Sequence, residues 1–284
     1  MTVRSALDEF SRRLAASGVD SPMYEVRLMF ETFFGMTRLR LTDERERQLS
    51  EKEEACLISA VERRCKGEPI QYILGKWEFM DREYFVGAGV LIPRDDTEVC
   101  VRTCLDDLKK RQSPRVLELC AGTGIIAVTL AKQIPDCTVT AIEKEPAAFE
   151  YLKKNIAYHG ADNVKALSGD IFLCCDDFED GSFDAIVSNP PYIETGALPA
   201  LQREVQFEPE TALDGGADGL DFYRCIAGKW GRKLRSGGSM TLEIGEDQAR
   251  AVTKLLVKNG FRNVVTVKDI QELDRVIFGT FVRT

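Results

Sequence analysis

Residues 116–131 read VLELCAGTGIIAVTLA: an apolar run carrying one acid, Glu118, then a turn with Gly122 and Gly124, then an apolar stretch suited to a buried helix. Glycines at such a turn let backbone N–H groups come close to a ligand. Further short apolar runs follow, alternating with helical patterns: Thr138 to Glu143, Val164 to Asp170, Phe183 to Pro191, Ser239 to Gly245, Asn263 to Asp269 and Arg275 to Phe281. Strands alternating with helices predict a parallel sheet. The seven runs together predict one doubly wound, Rossmann-like α/β domain over 94–284, with a helix from Thr97 to about Arg111.

Upstream, Leu7, Phe10, Leu14, Val26, Met29, Phe30 and Phe33 recur at helical spacing, which predicts a small helical bundle over 1–70. Ser21 is expected as an N-cap with Pro22 at the first helical position, and a later helix is expected to start near Thr42 or Ser50 and run to Lys66. Residues 71–93, QYILGKWEFMDREYFVGAGVLIP, are rich in aromatic and β-branched residues and predict a β-hairpin linker in which Trp77, Phe79 and Tyr84 pack.

Of the 284 residues, 44% are hydrophobic and 30% charged, near the average for globular proteins. No apolar run approaches the ~20 residues that cross a bilayer, and the opening MTVRSALDEF lacks the apolar stretch of a signal peptide. A cytoplasmic protein without a membrane partner is expected. A net charge of −8 builds in no attraction to nucleic-acid phosphates. The nine cysteines show no CxxC spacing and only one histidine accompanies them, so reduced, buried thiols and no metal site are expected. His159, at a helix end, reads as a partner for the helix dipole rather than a base.

Three of the strands end in acids. Glu143 can accept both hydroxyl hydrogens of a ribose, and Asp170 can accept from the exocyclic amine of adenine while Ile171 packs on the ring. With Glu118, these acids line the crevice where doubly wound sheets bind ligands. The spacing suits a nucleoside with a charged tail and leaves NAD and S-adenosylmethionine both open.

The fourth strand ends in Ser188-Asn189-Pro190-Pro191-Tyr192. Two prolines cannot donate to a ladder, so carbonyls there are free to face the crevice. An amide nitrogen is a poor nucleophile because its lone pair is delocalised, and catalysis must orient it. Asn189 can accept one N–H of such an amide through its side-chain oxygen, the Pro190 carbonyl can accept the other, and Tyr192 offers a face for stacking. Asp214-Gly215-Gly216 and Asp218-Gly219 read as turns.

Asn-Pro-Pro-Tyr after this strand resembles the amino-methyltransferases of adenine, cytosine or protein glutamine. With Glu68-Pro69-Ile70-Gln71-Tyr72-Ile73-Leu74-Gly75, Leu91-Ile92-Pro93-Arg94, Thr97-Glu98, Phe207-Glu208-Pro209, Gly219-Leu220, Phe222-Tyr223-Arg224 and Leu242-Glu243-Ile244-Gly245, the chain resembles the HemK/PrmC family of peptide chain release factor glutamine methyltransferases. The resemblance spans nearly the whole chain. It implies methyl transfer from S-adenosylmethionine to the glutamine of the Gly-Gly-Gln motif of class 1 release factors, with a helical N-terminal domain that helps hold the partner; a monomer is expected. It also implies that Cys120, Ala121, Gly122, Thr123, Gly124, Glu143, Ile171 and Asn189 fall at cofactor positions, and that Asn189, Pro190, Pro191 and Tyr192 hold the glutamine. The chain departs from the family pattern at Asp95-Asp96, where Pro-Glu is usual, at Glu118, where Asp is usual, at Cys120, where Gly is usual, and in Gln271-Glu272-Leu273-Asp274-Arg275, which lacks the usual Gly.

Two rivals differ in their demands. A nucleic-acid adenine methyltransferase needs a basic groove and a recognition domain, which neither charge nor length supplies. A non-catalytic module that senses the cofactor or escorts release factors has no need of an intact Asn-Pro-Pro-Tyr.

Overall fold

The computed structural model describes residues 1–283, which form two compact units. The first comprises Met1–Lys76 together with Gln202–Phe207. Its helices are α1 (Val3–Ala16), α2 (Pro22–Phe34), α3 (Arg38–Asp43), α4 (Glu51–Cys65) and α5 (Ile70–Leu74). Phe10, Leu14, Val26, Met29, Phe30, Leu57 and Val61 are fully buried and make its core, while Leu7 and Phe33 stay partly exposed. Ser50 starts α4 with a capping box: its hydroxyl accepts from Glu53 N, and the Glu53 carboxylate accepts from Ser50 N. Thr42 lies inside the short α3 instead. Ser21 occupies the N-cap of α2, but its side chain accepts no capping bond; with Pro22 at N1, one of the orphan donors is missing from the start.

Two ions are buried in this unit. Arg64 donates to both oxygens of Glu25, at 2.6 and 3.0 Å, and to Glu204 at 2.5 Å. Arg203 donates to the Lys66 carbonyl at 2.6 Å, so the 202–207 segment belongs to the helices through side-chain contacts.

The second unit comprises Trp77–Leu201 and Glu208–Thr284. The hairpin expected over 71–93 is confined to β1 (Lys76–Phe79) and β2 (Arg82–Phe85). Ile70–Leu74 is helical, ended by Gly75 in the left-handed region, and 86–93 runs without a strand. Met80 and Asp81, both at positive φ, form the two-residue turn whose twist suits a hairpin. Tyr84 reaches Thr129 at 2.8 Å through its hydroxyl. His159 bonds the Glu83 carbonyl at 2.8 Å and rests against the Tyr84 ring, and burial pushes its pKa down. It lies in the last turn of its helix and ties that turn to the hairpin.

The remaining elements are α6 (Thr97–Leu108), β3 (Arg115–Leu119), α7 (Ile125–Gln133), β4 (Thr138–Glu143), α8 (Pro146–His159), β5 (Val164–Ser168), β6 (Phe183–Ser188), α9 (Asp221–Cys225, continued as a π turn to Trp230), β7 (Leu234–Glu243), α10 (Ala249–Lys258), β8 (Phe261–Lys268) and β9 (Asp274–Phe281). The seven-stranded sheet runs β5-β4-β3-β6-β7-β9-β8. It is not wholly parallel, since β9 runs antiparallel to both β7 and β8. The turn between β8 and β9 is too short for a crossover, which forces the reversal.

Residues of β3, β4 and β6 on one face pack with α6, α7 and α8, and those on the other face with α9 and α10. The chain leaves β3 toward β4 and β5 on one side and returns to β6 on the other, so the strand order reverses between β3 and β6, where Leu119 pairs with Ser188. Crevices at such reversals are where doubly wound sheets bind ligands. Among the described residues no helix is long and apolar enough to cross a membrane.

Candidate active site

At that reversal lies a cavity of about 280 Å³. Its walls include Glu118, Cys120, Ala121, Gly122 and Thr123 from the end of β3, Glu143 from β4, Gly169, Asp170 and Ile171 from the end of β5, and Asn189 and Pro191 from the end of β6. Leu91–Arg94, Thr97, Pro209, Asp214 and Phe222 close it from other elements. Gly124, Pro190 and Tyr192 do not reach the wall.

The turn after β3 is strained where expected and at one place that was not. Gly122 and Gly124 have φ of +55° and +79°, but Cys120 also sits at +58°, in the region that favours glycine. A Cβ on Gly124 would lie 2.4 Å from Leu152 Cδ1, so this glycine serves close packing of α7 on α8. A Cβ on Gly122 would meet no protein atom within 4 Å, because its space belongs to the cavity. Asn155, fully buried on α8, donates to the Thr123 carbonyl at 2.9 Å and so fixes the same turn from behind.

Glu143 accepts from Gly122 N and Glu145 N, each at 2.7 Å. Burial raises its pKa, and these backbone donors oppose the rise. Each carboxylate oxygen keeps a second acceptor site, which a diol can use. Glu118, 1% exposed, accepts from Ala127 N at 2.9 Å, and burial raises its pKa strongly. Asp170 is already engaged: it accepts from Phe172 N at 2.9 Å and pairs with Lys144 at 3.1 Å, so an adenine amine must share it. Burial also pushes the Cys120 thiol up, away from reactivity. The nine cysteines are free thiols.

At the end of β6, Asn189 donates from Nδ2 to Thr97 Oγ1 at 3.2 Å. Among the described residues no donor pairs with the Pro190 carbonyl. Tyr192 is partly buried against the α9 layer rather than on the cavity wall, and burial pushes its phenol up to about 12. The Asp214–Leu220 turns pack on its backbone: a Cβ on Gly215 would lie 2.7 Å from Tyr192 Cα, and one on Gly219 2.4 Å from its carbonyl. Gln248 bonds that same carbonyl at 2.9 Å. Glu208, 6% exposed, accepts from Ile92 N at 2.9 Å and pairs with Arg94, holding the 91–94 wall.

Thr97, Asn155, Glu243 and Gln248 were not singled out as site residues from the sequence. Their partners lie far along the chain. Thr97 and Glu243 stand inside motifs that carry the resemblance, with no role attached to them, and Asn155 is a polar residue on an otherwise apolar helix face.

A carboxylate that holds a glycine turn and keeps acceptor capacity, apolar Ile142 and Ile171, and a preponderance of acid on the walls together fit a nucleoside carrying a cationic sulfonium. A family model described as the PrmC N-terminal domain matches residues 5–75, and one described as the methyltransferase small domain matches residues 94–208. A release factor glutamine methyltransferase of Geobacter sulfurreducens is 40% identical over 282 residues, covering 98% of this chain and 96% of the relative. One of Moorella thermoacetica is 40% identical over 277 residues, covering 97% of each. Among solved structures, the hMettl16 catalytic domain in complex with the MAT2A 3'UTR hairpin 1 shares the fold, with a TM-score of 0.58 at 14% identity over 90% of each chain.

Proposed function

Since this chain belongs to the release factor glutamine methyltransferase family and methylates release factors on glutamine with S-adenosylmethionine, we propose that its acceptor is the glutamine of the Gly-Gly-Gln motif of class 1 release factors, held at Asn189–Tyr192. The observation that carries this reading is the 3.2 Å bond from Asn189 Nδ2 to Thr97. It commits the amide nitrogen to the protein and turns Oδ1 the other way, as an acceptor.

S-adenosylmethionine, when bound, supplies a methyl group on a sulfonium sulfur. Cys120, Ala121, Gly122 and Thr123 form the turn against which it lies, and Gly124 lets that turn close on the helix. Glu143 takes the ribose hydroxyls, and Asp170 and Ile171 take the adenine. Asn189 Oδ1 accepts one hydrogen of the glutamine amide and the Pro190 carbonyl the other. Both hydrogens then lie in one plane, which directs the nitrogen lone pair along its normal toward the methyl. Pro191 stiffens this corner, and Tyr192, whose ring packs against the α9 layer, anchors it from behind in place of the stacking face expected. The nitrogen carries an extra proton after transfer and releases it readily, so no strong base is required. The helical unit is proposed to hold the partner protein, and a translation substrate calls for a cytoplasmic enzyme, acting as a monomer and binding no nucleic acid directly.

Methyl-labelled S-adenosylmethionine offered with a purified class 1 release factor, with the same factor carrying Asn in place of its Gly-Gly-Gln glutamine, and with RNA and DNA in parallel, tests the acceptor. Label is expected in the intact factor alone. Label in the altered factor or in nucleic acid contradicts the proposal.

A further inference from the structure

We propose that Gln248 is a positioning residue for methyl transfer, clasping the Asn189–Tyr192 corner so that the Pro190 carbonyl stays aimed at the acceptor. This rests on the reading of that corner above and extends it to a residue that lies off the cavity wall.

Gln248 stands at the N-cap of α10. That position favours Ser, Thr, Asp or Asn, whose short side chains can accept from the first N–H groups of their own helix. Gln248 makes no such bond. Its Nε2 donates instead to the Tyr192 carbonyl at 2.9 Å and to the Gly219 carbonyl at 3.2 Å, and its Oε1 accepts from Gly245 N at 3.0 Å. The Tyr223 hydroxyl, which donates to the Glu243 carbonyl at 2.9 Å, lies 3.3 Å from the same Oε1. Both amide hydrogens are therefore engaged. Two carbonyls on one side and an N–H on the other allow only one orientation of the amide. The clasp also needs a glycine opposite it, since a Cβ on Gly219 would lie 2.7 Å from Nε2.

The chain is fixed on either side of the corner. Ser188 Oγ donates to the Leu119 carbonyl at 2.6 Å, and Ile193 donates to the Leu213 carbonyl at 2.9 Å and accepts from Gly215 N at 2.8 Å. Between these points the rings of Pro190 and Pro191 lock φ. Turning the Tyr192 peptide is thus passed to the Pro190 carbonyl through few free torsions. That carbonyl has no donor of its own among the described residues, so the backbone around it sets its direction. A misplacement of about 1 Å in an orienting group can lower a rate by ~100-fold. Loss of the clasp should therefore appear in kcat and leave cofactor binding alone.

The test uses the full chain, S-adenosylmethionine and a purified class 1 release factor. Gln248→Ser removes the clasp while giving α10 a favoured cap, and Gln248→Met removes it at nearly the same length. Each is expected to lower kcat by ~10–100-fold, with KM for the release factor and cofactor Kd by calorimetry within a few-fold of wild type. The Tm of Gln248→Ser should stay close to wild type, because the side chain is only half-buried and water can reach the freed carbonyls. Gln248→Glu keeps the length and the acceptor but loses both donors, and should be no faster than Gln248→Met. A residue serving only to start α10 would be improved upon by Ser, with no loss of rate. A near-normal kcat in Gln248→Ser or Gln248→Glu, or a loss explained wholly by lower Tm or weaker cofactor binding, overturns the proposal. If Asn189→Ala keeps its rate, the reading of the corner falls and this one with it; if Asn189→Ala is inactive while Gln248→Ser is not, only this one falls.

Discussion

Glu143 grips the glycine turn beside it, its Oε2 lying 2.7 Å from the Gly122 nitrogen. The acid at the end of β4 thus shapes the turn after β3 as well as facing the cavity. Glu143→Ala removes both functions. Each charge-assisted hydrogen bond to a hydroxyl contributes about 1.5–3 kcal/mol, so the Kd for S-adenosylmethionine should rise by ~10–100-fold, with a smaller change in kcat at saturating cofactor. Calorimetry and steady-state kinetics check this, and an unchanged Kd would remove Glu143 from the cofactor site.

Two non-glycine residues, one in each of two stretches where the chain departs from the resemblance, sit where the backbone is left-handed: Cys120 at φ +58° and Glu272 at +65°. An L side chain there costs roughly 1–2 kcal/mol, partly offset by the extra unfolded-state freedom of glycine. Cys120→Gly and Glu272→Gly should each stabilise the protein by about 0.5–1 kcal/mol in urea unfolding. Destabilisation by either would show that the side chain contributes more packing than its backbone strain costs.

In the helical unit, Glu25→Ala strips a partner from Arg64, which is 4% exposed. Breaking a buried pair on one side leaves an uncompensated charge, and with Glu204 still in reach at 2.5 Å the loss should be about 3 kcal/mol. Replacing both residues with apolar ones of similar size should recover most of it. If the single variant unfolds at the wild-type urea concentration, the pair is not a structural element.

Much of this arrangement could be read from the chain, and the parts that could not have physical reasons. The seven apolar runs became the seven strands in order, but β5 and β6 stop at Ser168 and Ser188, short of the expected Asp170 and Pro191. Of the residues lost from the ladder, Gly169, Asp170, Asn189 and Pro191 line the crevice, and the prolines have no N–H to pair. Strand direction was not legible for β9, because alternation of apolar runs does not encode it. Acids at strand ends marked the side of the sheet on which the cavity lies. The contact between Thr97 and Asn189 could not be seen, since the two lie 92 positions apart in separate motifs.

The cost of keeping Glu243 buried should appear in the pH dependence of stability. Its pKa in the folded state, about 7, stands above its ordinary 4.5. A raised carboxyl binds its proton more tightly when folded, so its favourable contribution is complete below about 4.5 and is lost as pH rises through 7. Other carboxylates act oppositely, such as Glu53, held down to about 2 by Arg47, so the comparison is between variants. The Tm of Glu243→Gln relative to wild type should increase between pH 5 and pH 8. A constant difference across that range would show that Glu243 does not titrate there.

The central claim, that Asn189 orients a glutamine amide for methyl transfer, is tested most directly by mass spectrometry of a class 1 release factor incubated with S-adenosylmethionine and either the wild-type chain or Asn189→Ala. The expected result is one methyl on the Gly-Gly-Gln glutamine with the wild type and none with the variant, whose cofactor binding by calorimetry stays within a few-fold of wild type. A variant that methylates the same glutamine at a near-normal rate would contradict it.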